Sequence, residues 1–188
     1  MITLRRAIAP LALIVALPFA DASRASGALA AQAPAVTLLG YHTTIPAGWT
    51  PRAPSSSMRL AEYVTPGPDS LSRAEVVVYF FGVGQGGTVE SNVARWKAQF
   101  SNPDGSPVFE KLTHDSTAAF PLTFAEFRGT YARGIGAGSP ETARTGQTLV
   151  AAVAETPRGT MFIQLFGPSD KVAAQRDAFV RFVAALKN

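Results

Sequence analysis

The stretch EVVVYFFGVGQGGTVESNVARW, residues 75–96, holds a continuous apolar run, then glycines at Gly82, Gly84 and Gly87, then an amphipathic segment. Two folds compete for it. G-x-G-x-x-G between a strand and a helix is the fingerprint of a dinucleotide-binding turn, where pyrophosphate rests on the helix N-terminus. The same glycines also serve a sharp bend, because they reach positive φ at no steric cost. The dinucleotide fold further requires an acidic residue about twenty positions on, at the end of a second, parallel strand. Asp104 has that separation but lies in NPDGSP, a turn sequence, and the chain otherwise pairs by hairpins. The stretch is therefore read as a buried strand, a bend and a covering helix.

Residues 75–81 are almost all β-branched or aromatic, as in a strand covered on both faces. The helix that follows carries Val89, Val93, Trp96 and Phe100 in one stripe, with Thr88 as N-cap and Asn102-Pro103 as stop. Upstream, LLGYHTTIPAGW predicts a short strand closed by a turn, and residues 58–64 a second strand ended by TPGPD. Downstream, strands are expected over 108–112, 122–131, 148–154 and 160–166, the last two joined as a hairpin by Pro157-Arg158-Gly159. Residues 132–147 form a Gly/Ser/Pro-rich loop. A closing helix is expected over 169–187, with Ser169 capping it and Val172, Phe179, Phe182, Val183 and Leu186 on its inner side. With several strands apolar on both faces, one helical layer would leave a face bare. The expected fold is α+β, a three-layer α/β/α sandwich with a mainly antiparallel sheet of about six to seven strands and one helix on each face.

The N-terminus has the order of a secretory signal: Arg5-Arg6, an apolar run from Ala7 to Ala20 too short to span a bilayer, and small residues Ala28-Leu29-Ala30 before a cleavage point. Residues 1–30 are read as signal peptide, 31–37 as a flexible tether and 38–188 as one domain, with no transmembrane anchor after cleavage. Removing residues 1–30 takes away three arginines and one aspartate, so the formal charge falls from +4 to +2. The remaining Lys and Arg are scattered, which argues against a nucleic-acid partner. With no cysteine, the hydrophobic core alone must hold the fold.

The segment Gly40-Tyr41-His42-Thr43-Thr44-Ile45-Pro46-Ala47-Gly48-Trp49 resembles the opening strand and "P-x-G-W" turn of the PsbP-like superfamily. That group includes the extrinsic PsbP subunit of photosystem II, Ran-binding Mog proteins and periplasmic DcrB-like proteins. Phe179 to Leu186 resembles the ending of the closing helix in such domains. Pro54-Ser55-Ser56-Ser57-Met58-Arg59 and the GQGG stretch resemble small exported bacterial proteins of no assigned activity. The resemblance implies an α/β/α sandwich with an antiparallel sheet, and a binding, assembly or accessory role rather than catalysis. It transfers no binding residues.

Few motifs carry chemistry. Free N–H groups at the helix start near Gly86, Gly87 and Thr88 are a candidate small-anion site. THDST, residues 113–117, reads as a polar turn, because adjacent side chains diverge and triad members converge from separate segments. Glu126 and Arg128, two apart on one strand, share a face and are expected to pair structurally. Two histidines and no cysteine exclude a His-rich or thiolate metal site and leave an oxygen-only calcium site open; no metal ligands and no cofactor are assigned. Trp49, Arg52, Ser55, Ser56, Ser57 and Arg59 are the candidate ligand- or partner-binding residues, with the 132–147 loop as a second region. The expected role is an exported, non-enzymatic binding or accessory domain engaging an envelope protein or small ligand. The alternative is a hydrolase with an acidic/His site in a surface groove.

Overall fold

The computed structural model describes residues 34–115, 119–132 and 143–188. Its frame is one eight-stranded antiparallel sheet. In spatial order this runs β3 (Thr50–Arg52), β4 (Arg59–Val64), β5 (Glu75–Phe80), β10 (Gly159–Pro168), β9 (Arg144–Thr156), β8 (Leu122–Tyr131) and β6 (Phe100–Ser101). β7 (Phe109–Asp115) also pairs with β8, along its earlier part, while β6 pairs with its last two residues. β5 has antiparallel neighbours on both sides, β4 and β10. The parallel partner that a dinucleotide fold requires beside it is therefore absent, and the bend reading of the glycines holds. Gly82, Gly84, Gly86 and Gly87 all have positive φ. A Cβ on Gly86 would stand 2.6 Å from the Phe162 ring, so the bend needs glycine for space as well as for φ.

Alternation along the central strands divides the apolar side chains into two cores. One face gathers Val76, Val78, Phe124, Val150, Ile163 and Leu165 beneath α2 (Ser169–Ala184), which contributes Val172, Phe179, Phe182 and Val183. The other gathers Phe127, Leu149, Ala151, Val153 and Phe162 beneath α1 (Val89–Lys97), which contributes Trp96. The α/β/α sandwich is thus present, with one helix per face.

The α2 face has an additional cover. β1 (Ala35–Leu38) and β2 (Tyr41–Thr44) form a separate two-stranded hairpin that buries Leu38, Tyr41 and Ile45 in the same core. The single opening strand expected here is broken at Leu39 and Gly40, whose φ values of 49° and 78° make a tight turn. Ala35 to Thr37, grouped with the tether on composition, are the first part of β1. The His42 N–H donates to the Lys187 carbonyl at 2.7 Å, and the return bond from the Lys187 N–H is 3.1 Å. The Thr43 hydroxyl donates to the Phe182 carbonyl.

Both helices differ from expectation at their ends: α2 stops at Ala184 rather than Lys187, and Leu186 enters its core from beyond the helix. α1 stops at Lys97, and Phe100 reaches its core from the short strand β6. Thr88 does cap α1, its hydroxyl accepting from the Ser91 N–H. Ser169 does not cap α2: its hydroxyl donates to the Gly146 carbonyl and accepts from Thr148, tying the helix start to β9. THDST is extended rather than turned as far as Asp115, and residues 116–118 lie outside the described residues.

Trp49 closes the α2 core. It is 5 % exposed, its ring centroid lies 5.4 Å from that of Phe182 and 5.9 Å from that of Tyr63, and its indole N–H donates to Gln175 Oε1 at 2.9 Å. Trp49→Ala is expected to lower stability by about 3–5 kcal/mol, as for other large aromatic truncations in a core. In urea titration this reads as a lower midpoint at unchanged slope.

Candidate functional site

α1 has nine residues and covers only part of its face of the sheet. Trp96 packs edge-on against Phe162, and beyond that ring the strand rows continue with Val77, Gln164, Leu149 and Phe166 on the same face. Among the described residues no helix covers these rows. They floor a groove of about 700 Å³ whose walls come from Arg59, from the Ser70–Arg73 segment and from Tyr131 and Ala143–Gln147. Of the segment 132–147 expected as a loop, residues 144–147 are instead the start of β9, where they pair with β8, and with Ala143 they wall the groove; residues 133–142 lie outside the described residues.

The floor is aromatic at both sides. The Tyr131 and Phe166 rings lie 4.5 Å apart, and Tyr79 stacks near-parallel on Phe81 at 6.1 Å. The rim is basic. The Arg59 guanidinium sits 5.4 Å above the Tyr79 ring and 3.1 Å from Glu62. Burial pushes the Glu62 carboxyl up, but the Ser55 N–H and Arg59 outweigh it and hold it below the usual carboxylate range. Arg73 is anchored by carbonyls, donating from Nε to Gly67 at 2.6 Å and from a terminal nitrogen to Pro68. A capping box on Asp69 fixes the short 3₁₀ turn Ser70–Ser72 and with it the half of the rim that carries Arg73 and the exposed Leu71. Glu75, at the end of β5, lies 4.0 Å from Arg52.

Of the residues singled out from sequence, Arg59 lines the groove and Arg52 stands next to it through Glu75. Ser55, Ser56 and Ser57 are exposed in the β3–β4 connection, where the Ser56 carbonyl accepts from the Arg59 N–H. Trp49 faces the opposite core. Gly87 and Thr88 border a second, smaller hollow of about 370 Å³ with Glu90, His114, Glu155 and Thr160. Two carboxylates there, and a helix start already served by Thr88, make this a poor anion site. The Glu90 backbone N–H and the Thr88 hydroxyl hold the Glu90 carboxylate below its ordinary range, so the helix start already has its negative charge.

No protein-family model matches the chain, and no curated protein matches it in sequence. Among solved structures, that of cyanobacterial PsbP (CyanoP) from Synechocystis is similar to it, with a TM-score of 0.54 and 12 % identity over 86 % of this chain and 95 % of that one. The fold is PsbP-like. A Pseudomonas aeruginosa protein of unknown function, described as a putative regulator, is more distantly similar, with a TM-score of 0.44 and 12 % identity over 82 % of this chain and 96 % of that one.

On the α2 face of this PsbP-like sheet, Glu126 forms the cluster that spacing foretold, with one member more. Its side chain is 5 % exposed, with Oε1 accepting from Arg128 Nε at 2.9 Å and Oε2 from Arg176 Nε of α2 at 3.0 Å. Arg128 also lies 4.5 Å above the Phe109 ring. Burial raises the Glu126 pKa, but the two guanidiniums more than offset it and leave the carboxyl below its ordinary value. The cluster ties helix to sheet. Among the described residues no three His, Asp or Glu side chains gather as a metal site.

The lowered Glu126 pKa sets a sign. A carboxylate held below its unfolded value stabilises the fold above the ordinary glutamate range, and that contribution is lost as pH falls through the folded pKa. Glu126→Gln is expected to cost about 1–3 kcal/mol near pH 7. Its deficit relative to the parent should shrink below about pH 4. Denaturant titrations of both proteins across that range measure the difference.

Proposed function

We propose that this chain is an exported, non-enzymatic binding domain of the cell envelope, and that it holds a small ligand in the groove beside α1. The observation that carries the reading is the half-covered sheet face: an aromatic floor, an arginine-bearing rim and a volume of about 700 Å³, within the range of roughly 300–1,000 Å³ usual for small-molecule sites. A concave site with apolar rings below and a few convergent polar groups above suits a ligand better than it suits a flat protein interface. Export is supported by the N-terminal order of Arg5-Arg6, apolar run and Ala28-Leu29-Ala30. Among the described residues no helix is long and apolar enough to cross a membrane.

A hydrolase would place a base beside a nucleophile in this groove. Its only carboxylate among the described lining residues, Glu75, is more than half exposed and lies near Arg52. The likeness to cyanobacterial PsbP supports the fold alone and no particular partner.

Two measurements test the proposal. Protein recovered from the periplasm should begin at Ala31 by intact mass, and a chain retained uncleaved in the cytoplasm overturns export. Native mass spectrometry should find a small molecule on the parent protein that is lost in Gln164→Trp, which fills the groove floor. Equal loading of both proteins, or turnover of ester or phosphomonoester substrates, overturns the groove as a binding site.

A further inference from the structure

We infer that the groove's ligand is a flat organic anion, an aromatic or similarly planar body carrying a carboxylate, laid on Tyr131 and Phe166 with its charge toward Arg73. The inference rests on the ligand-binding reading above and names the chemistry which that site selects.

Charge comes first. Of the described lining residues Arg59, Arg73 and Arg144 are cationic and Glu75 alone is anionic, so the lining itself is positive, with Glu62 beside Arg59 and Asp69 near Arg73 standing just outside it. The arginines are not equivalent. Arg59 is neutralised by Glu62 at 3.1 Å and laid over Tyr79, so it acts as a wall. Arg73 is held by the carbonyls of Gly67 and Pro68, with the Asp69 carboxylate near enough to feel its charge. Those bonds use Nε and one terminal nitrogen and fix the side chain in place. A guanidinium positioned by carbonyls keeps its charge and has N–H donors to spare, the arrangement that receives a carboxylate at least rotational cost.

Shape gives the rest of the ligand. A bare inorganic anion would leave most of 700 Å³ to water. The Tyr131–Phe166 pair, at 4.5 Å, offers half-buried ring surface that only an apolar body would cover. Leu71, 78 % exposed on the rim beside Arg73, supplies a second apolar wall. Gln164 stands in the middle of the floor, with an amide that can donate to or accept from a substituent on that body. An organic cation would meet the arginine rim, and a neutral apolar molecule would strip water from Arg73 without replacing it.

The test uses the protein as recovered from cells and three probes: 2-naphthoate, 2-naphthylmethylammonium and inorganic phosphate, each titrated while backbone amide shifts are followed by NMR. Naphthoate should shift the amides of Val77, Gln164 and Phe166, the ammonium analogue should leave them in place, and phosphate should bind at least tenfold more weakly than naphthoate. Arg73→Gln should weaken naphthoate about tenfold or more, the loss expected for a charged hydrogen bond. If that variant loses its native spectrum, Arg73→Lys keeps the charge without the fork and should give a smaller loss. Equal binding of naphthoate and the ammonium analogue in the groove overturns the anion while leaving the groove as a ligand site. Phosphate as tight as naphthoate overturns the flat body. No shift in the groove with any probe overturns both readings together.

Discussion

The constraint on which the structure depends is that its central strands are apolar on both faces. β5, β10, β9 and β8 place alternate residues in two separate cores, so each side of the sheet requires an apolar cover over most of its area. The two sides are closed unequally. One has a sixteen-residue helix together with the β1–β2 hairpin, locked by Trp49, Thr43 and the His42–Lys187 backbone pair. The other has a nine-residue helix, and the groove is the area that this helix is too short to reach. What replaces apolar cover there is a change of side chain: Gln164 stands between Phe162 and Phe166 on this face of β10, and Arg59 lies over the Tyr79 ring.

Where the sequence was legible, the reason was periodicity. The apolar runs of β5, β9 and β10 and the stripe of α2 announced buried strands and a covering helix, and the paired turns announced antiparallel connections. The GVGQGG bend was resolved by context, because a dinucleotide site needs a parallel neighbour and the hairpins left no place for one. The elements missed were those without a pattern. β3 and β6 have three and two residues, Pro51 lies within the former, and neither length can show alternation. Pro51 fits because β3 is an edge strand.

The candidate site was legible only in pieces. Arg59 could be picked out as polar sequence beside a strand, and the loop ends at Tyr131 and Gln147 as the borders of a composition shift. Gln164, Phe166, Tyr79 and Arg73 could not, because a groove is made by distance in space: β5 and β10 are adjacent although about 85 positions separate their paired residues. The one available signal was Gln164, a polar residue inside MFIQLF, and its meaning depends on knowing that the helix above stops short. Trp49 was open to two readings, packing in its turn or lining a surface groove, and it packs. A tryptophan beside proline and arginine looks like surface, whereas its indole N–H finds Gln175 on a helix 126 positions away.

The position of β10 bears on how the chain assembles. β3, β4 and β5 form one half of the sheet and β6 to β9 the other, and residues 159–168 are what join them. A ribosome delivers those residues after every other strand of the sheet, so the halves have no shared ladder until β10 has been made. The sheet is completed by insertion of a late central strand, which makes assembly non-local and keeps two apolar edges unpaired in the interval. A polypeptide built this way stays threadable until nearly its whole length has emerged.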